Sequence, residues 1–142
     1  MHFAISDEVA HRASEMVGIK NPYISLSDLR CQCMGNEILQ LCLNEMVMYS
    51  LRYAETVCRF EQIVSARHGF DTDGVREEIE RVRSTIHDST IDAINILSRA
   101  FRSEGKGNKW ITKMSGGGRA AYGKFALLIA FEAATELRED YV

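Results

Sequence analysis

Apolar residues recur at helical spacing through most of this chain, and their phase predicts the elements. Ser6 is a good helix N-cap, Asp7 and Glu8 suit a first turn, and Val9, Ala13, Met16 and Val17 follow as one apolar stripe ending near Gly18. Asn21-Pro22 marks a turn, and Ser25 to Met34 reads ambiguously, as a short helix begun at Ser27-Asp28 and broken by Gly35-Asn36. From Glu37 to about Arg67 runs the longest pattern, with Leu39, Leu43, Met46, Leu51, Ala54, Val57, Phe60 and Val64 in phase and His68-Gly69 as its stop. Its first half is apolar around much of its circumference (Ile38, Leu41, Cys42, Val47 and Met48 besides the stripe), which predicts either a central helix or a dimer surface.

Asp71-Thr72-Asp73-Gly74 supplies turn and cap residues for a helix from about Val75 to Ser103, with Val75, Ile79, Val82, Ile86, Ala93, Leu97 and Phe101 as its core stripe. Gly105 terminates it. Gly105 to Gly118 reads as a polar basic loop with Trp110 as its aromatic anchor and one helical turn around Ile111 to Met114. A last, strongly apolar helix runs from Gly118 or Arg119 to Leu137 through Phe125, Ala126, Leu128, Ile129, Phe131 and Ala133. No segment reads as a strand pair, so the expected fold is all-α: one domain over residues 1–142, an up-and-down bundle of four to five helices.

Composition fits that class, with 46% apolar residues, 26% charged residues and one proline, Pro22. The amino terminus lacks a basic region followed by an apolar stretch, and Ala120 to Ala134, interrupted by Lys124 and Glu132, is shorter than a membrane span. The expected location is therefore the cytoplasm, where Cys31, Cys33, Cys42 and Cys58 read as free thiols. On one helix Cys42 and Cys58 stand roughly 24 Å apart, too far to pair or share a metal ion. Cys31 and Cys33 have no second pair to complete a tetrahedral site.

Charge changes the picture more than composition does. Between Arg99 and Lys124 seven basic side chains (Arg99, Arg102, Lys106, Lys109, Lys113, Arg119, Lys124) meet one acid, Glu104, giving +6 within a chain whose net charge is −3. Such asymmetry marks a surface for an anionic ligand or partner. Gly116, Gly117 and Gly118 lead into the last helix, whose exposed N–H groups suit a phosphate or carboxylate, with Lys106, Lys109, Lys113, Arg119 and Lys124 adding charge. Nucleic acid is the natural large anion, with Trp110 or Tyr122 available to stack on a base, although a pI of about 5.8 lies below that of a dedicated nucleic-acid-binding domain.

The densest set of chemically useful side chains is Arg81-Val82-Arg83-Ser84-Thr85-Ile86-His87-Asp88. His87 lies one turn after Arg83 on the same helix face, so an arginine there would hold an anion while a neutral imidazole moves a proton. Arg81, five residues and then His87 resemble the Arg–His motif of the higher eukaryotes and prokaryotes nucleotide-binding family of small helical proteins. That resemblance rests on two residues plus size and helical class. It implies a metal-independent ribonuclease acting as a dimer, with His87 as acid or base, Arg81 (or Arg83) on the phosphate, and RNA received by the basic loop.

Glu8-Val9-Ala10-His11 has the spacing of one half of a di-iron helical site, but no second Glu-x-x-His accompanies it, so no metal or cofactor is expected. Nor does the chain carry a Gly-x-Ser-x-Gly nucleophile motif. The favoured expectation is a non-enzymatic helical binding protein, a homodimer through its long apolar helix, whose basic Gly-rich segment contacts an anion. A metal-independent ribonuclease using the Arg/His pair is the alternative.

Overall fold

The computed structural model describes residues 5–66, 73–107 and 109–139. Among them are six α-helices and no strand: α1 (Asp7–Glu15), α2 (Leu26–Cys33), α3 (Glu37–Ala66), α4 (Asp73–Ser103), α5 (Lys109–Ser115) and α6 (Gly118–Glu139). The count exceeds the expected four to five because the ambiguous Ser25 to Met34 segment contains α2, and the stretch expected as a basic loop with one turn around Ile111 to Met114 contains α5. His2, the His68-Gly69 stop and the Asp71-Thr72 cap lie outside the described residues.

Local chemistry sets the helix ends. Ser6 caps α1, accepting the Val9 N–H at 3.4 Å, but the helix ends at Glu15, so Val17 is exposed and the expected stripe stops short of it. The cap of α2 is Ser25, not Ser27: its Oγ accepts the Asp28 N–H at 3.1 Å, while Glu132 of α6 accepts the Leu26 N–H at 3.1 Å. Asn36 caps α3 by accepting the Leu39 N–H at 3.1 Å. Gly105, at φ +71, closes α4: its N–H reaches the Arg102 carbonyl and that of Lys106 reaches the Phe101 carbonyl, a left-handed turn that favours glycine.

Helices α3 and α4 pair antiparallel, because Tyr49 meets Thr90, Tyr53 meets His87 and Phe60 meets Arg83 in opposite chain order. One apolar core draws on all six helices: Val9 and Ala13 of α1, Leu26 and Leu29 of α2, Leu39, Leu43 and Met46 of α3, Ile94, Leu97 and Phe101 of α4, Trp110, Ile111 and Met114 of α5, and Phe125 and Ile129 of α6. Only the second half of α4 enters it. Val75 and Val82, expected in the stripe, are exposed, and Thr90 and Ile94 are buried in the half that does pack. The Val64 side chain lies outside the described residues.

Trp110 anchors α5, its ring 5.2 Å from Phe125 in a stacked arrangement and 6.5 Å from Phe101 edge-on. The four cysteines are free, and burial raises the thiol pKa of Cys33 and Cys58. No helix among the described residues is long and apolar enough to cross a membrane.

The α2 cap provides a test. Burial pushes the Glu132 carboxyl pKa up, opposed by the Leu26 N–H and by Asn21. A raised folded-state pKa means that this group's contribution is fully present below its unfolded value and is lost as pH rises through the folded one. Glu132→Gln keeps an oxygen for the Leu26 N–H, so urea unfolding at a series of pH values should show the variant gaining on the parent protein as pH rises above about 4.5. A pH-independent difference would refute the assignment.

Candidate anion-binding pocket

Helices α3, α4 and α6 meet around a pocket of about 510 Å³. Tyr53 enters from α3, Arg83, Ser84 and His87 from α4, and Arg119, Ala120, Gly123, Lys124 and Leu127 from α6. On an ideal helix four residues turn through about 400°, so Arg83 and His87 share a face, while Arg81 points about 120° away from His87. The structure agrees. Arg81 is exposed and bonded to Glu78, outside the pocket that Arg83 lines.

Arg83, His87 and Arg119 are each positioned by neighbours. Arg83 pairs with Glu80 at 3.1 Å, and its guanidinium sits 5.6 Å over the Phe60 ring. The His87 ring stacks on that of Tyr53, with centroids 5.0 Å apart and planes 23° from parallel. Arg119, in the first turn of α6, reaches across to α4, with Nη1 donating to Asp88 Oδ1 at 2.5 Å and Nη2 lying 3.1 Å from His87 Nδ1. A guanidinium has only donors, so Nδ1 is the acceptor and the neutral ring carries its proton on Nε2. That Nε2 is buried without a hydrogen-bond partner among the described residues.

Burial and then the Arg119 charge lower the His87 pKa, Asp88 opposes them, and Arg83 adds to the lowering. The shift favours the neutral imidazole, and negative charge arriving nearby would work against it. Gly123 makes room for this pair, since a Cβ there would stand 3.0 Å from the Tyr53 hydroxyl and 3.3 Å from His87 Nε2. Two of the three pocket cations carry a carboxylate partner. Lys124 has no ion pair among the described residues, so the pocket keeps a net positive charge with its imidazole neutral.

Of the residues expected from the sequence, the fold brings together Arg83, His87, Arg119 and Lys124. The lysines of the basic loop are elsewhere. Lys106 donates to the Gln32 carbonyl and Lys113 to the Pro22 carbonyl at 2.6 Å, tying the loop to the segments around α2, and Lys109 is exposed at the start of α5. Gly117 serves packing, because a Cβ there would come within 2.7 Å of the Ala121 Cβ, whereas a Cβ at Gly116 would make only ordinary contact with the Lys113 carbonyl and one at Gly118 would face open space. Glu8 bonds Gln62 and His11 pairs with Glu15, so this spacing gathers no ligand set; no cluster of three or more metal-binding side chains occurs among the described residues.

Sequence reasoning missed Tyr53 and Gly123. A glycine inside an otherwise apolar helix costs about 1 kcal/mol relative to alanine and so signals a packing requirement, a signal that could have found Gly123. Tyr53 had no such signal.

Titrating the His87 Cε1–H resonance by NMR should give a midpoint below the ordinary histidine value of about 6.5. Arg119→Met should raise that midpoint and Asp88→Asn should lower it further. Because the folded pKa is depressed, the His87 contribution to stability is full above about 6.5 and is lost as pH falls through the folded value. His87→Gln should flatten that acid limb, and a midpoint indifferent to both neighbours would contradict the geometry.

No protein-family model matches this chain, and no curated protein or solved structure matches it either.

Proposed function

We propose that this protein is a helical binding protein whose pocket between α3, α4 and α6 takes a phosphate-bearing anion. The observation that carries the reading is the convergence of Arg83, Arg119 and Lys124 on one pocket beside a neutral histidine. Two arginine forks and an ammonium suit the oxygens of a phosphate, which accept several charge-assisted bonds at once. The basic Gly-rich segment enters this reading through Arg119 and Lys124. Lys106 and Lys113 act on backbone carbonyls instead.

Arg119 is the group that an arriving phosphate would redirect. It is shared between Asp88 and His87, on an exposed rim where an added anion competes directly with the carboxylate. Drawing the guanidinium away frees His87 Nδ1, and the new negative charge favours protonation there. Binding would therefore be accompanied by proton uptake. Inorganic phosphate titrated into the protein, followed by calorimetry in buffers of different ionisation enthalpy, should show that uptake. Arg119→Ala should weaken binding about tenfold to a hundredfold, in line with the ~1.5–3 kcal/mol of a charged hydrogen bond. Affinity unchanged by Arg119→Ala and by Arg83→Ala would end the reading.

A second reading, a metal-independent ribonuclease of the kind implied by the resemblance to the higher eukaryotes and prokaryotes nucleotide-binding family, is favoured by one specific observation: His87 shares its cleft with Arg83 and Arg119. Here Nδ1, once released by Arg119, would take the proton of the attacking 2′-hydroxyl as its oxygen bonds to phosphorus, and the P–O bond to the 5′-oxygen would break with that oxygen taking a proton from water, while the arginines hold the phosphodiester. The family's phosphate contact would fall to Arg83 in place of Arg81. Cleavage of unstructured RNA in the presence of a chelator should then vanish in His87→Ala. Cleavage that survives this substitution would rule the enzyme out.

A further inference from the structure

Three of the nine exposed large hydrophobic residues among those described lie on the adjoining helices α3 and α4: Ile38 (64% exposed), Leu41 (65%) and Ile96 (48%). Leu41 and Ile96 form two walls of a groove of about 340 Å³ between α3 and α4, floored by Cys42, Tyr49 and Ala93 and edged by Glu45 and Asp92. Ile38, Leu41 and Glu45 recur at three to four residues and so share one face of α3, as do Asp92, Ile96 and Arg99 on α4. A stripe of this kind on a water-facing side marks a contact surface.

Charge decides what would cover it. Because α3 and α4 run antiparallel, the face reads along its length as Ile38, then Arg99, then Leu41 and Ile96, then Glu45 and Asp92. Arg99, Glu45 and Asp92 have no ion pair among the described residues. A two-fold axis through the Leu41–Ile96 layer superposes that order on its own reverse. It sets apolar against apolar at the centre, Arg99 of each copy opposite the acids of the other, and Ile38 toward the Tyr49 end of the opposing groove. The pattern is self-complementary, which an isologous contact requires.

We infer that the α3–α4 face binds a second copy of this chain, through an apolar centre at Leu41 and Ile96 flanked by reciprocal ion pairs from Arg99 to Glu45 and Asp92. On α4, Ile96 and His87 stand nine residues apart and so about 180° around the helix. The contact therefore leaves the anion pocket open, and its success or failure is independent of that reading.

Sedimentation equilibrium and light scattering over a wide range of concentrations should show the full chain as a dimer. Leu41→Glu with Ile96→Glu should give a monomer whose far-UV circular dichroism and thermal unfolding remain those of a folded helical protein, since both side chains are exposed. If that variant does not fold, charge reversal decides instead. Arg99→Glu alone should weaken dimerisation at least tenfold at low salt, and adding Glu45→Arg and Asp92→Arg in the same chain should restore it. A protein monomeric at every concentration overturns the inference, whether or not the groove serves some other partner. A dimer that survives the apolar substitutions, or the single charge reversal without loss, overturns it too.

Discussion

A helix with no polar side has to be enclosed, and α6 is such a helix. From Ala121 to Ala134 its buried residues cover most of its circumference, so neighbours must surround it: α3 and α1 pack against it most, then α5, while α2 and α4 touch it only slightly. The few water-facing residues near its start, Arg119, Ala120 and Lys124, mark where that enclosure stops. Helix α4 meets α6 only slightly there and packs mainly on α3. The opening left between α4 and α6 is the pocket. Burying α6 and forming the cavity are consequences of one packing arrangement.

The same arrangement explains why the chemistry is concentrated where it is. Arg119 can bridge to Asp88 and His87 because the first turn of α6 faces α4 without touching it closely. Tyr53 supplies a rigid floor from the helix that contacts both. The imidazole is thus held by stacking on one face and by a guanidinium at one nitrogen, while its other nitrogen is sealed beneath Gly123. This fixes the tautomer, and with it which nitrogen is available to accept a proton.

Long elements were readable from residue order because apolar spacing and breaker residues agree: α3 begins, α4 ends and α6 begins within a few residues of where Gly35, Gly105 and Gly118 put them. Side-chain fate was less legible. Val75 and Val82 keep perfect helical phase yet face water, since phase says which residues share a side but not whether anything packs on that side. Local pattern pointed to Ser27-Asp28 as the start of α2, but the cap is Ser25, accompanied by a carboxylate from α6 more than 100 residues later. The basic segment was conspicuous as a run of charge, but folding divides it. Part faces the pocket, part straps carbonyls around α2, and only geometry separates the two roles. His87 with Arg83 was visible as one turn of one helix; Tyr53 was not, because nothing local links it to α4.

Trp110 has a consequence of its own. It is the sole tryptophan in the chain, buried between Phe101 and Phe125, and its indole N–H meets no acceptor among the described residues. Helix α5 holds that ring in place with only seven residues. Water reaching the indole would gain a hydrogen bond that the folded core withholds, so the intrinsic fluorescence of this protein is in effect a gauge of one short helix, sensitive to its detachment before the longer helices come apart.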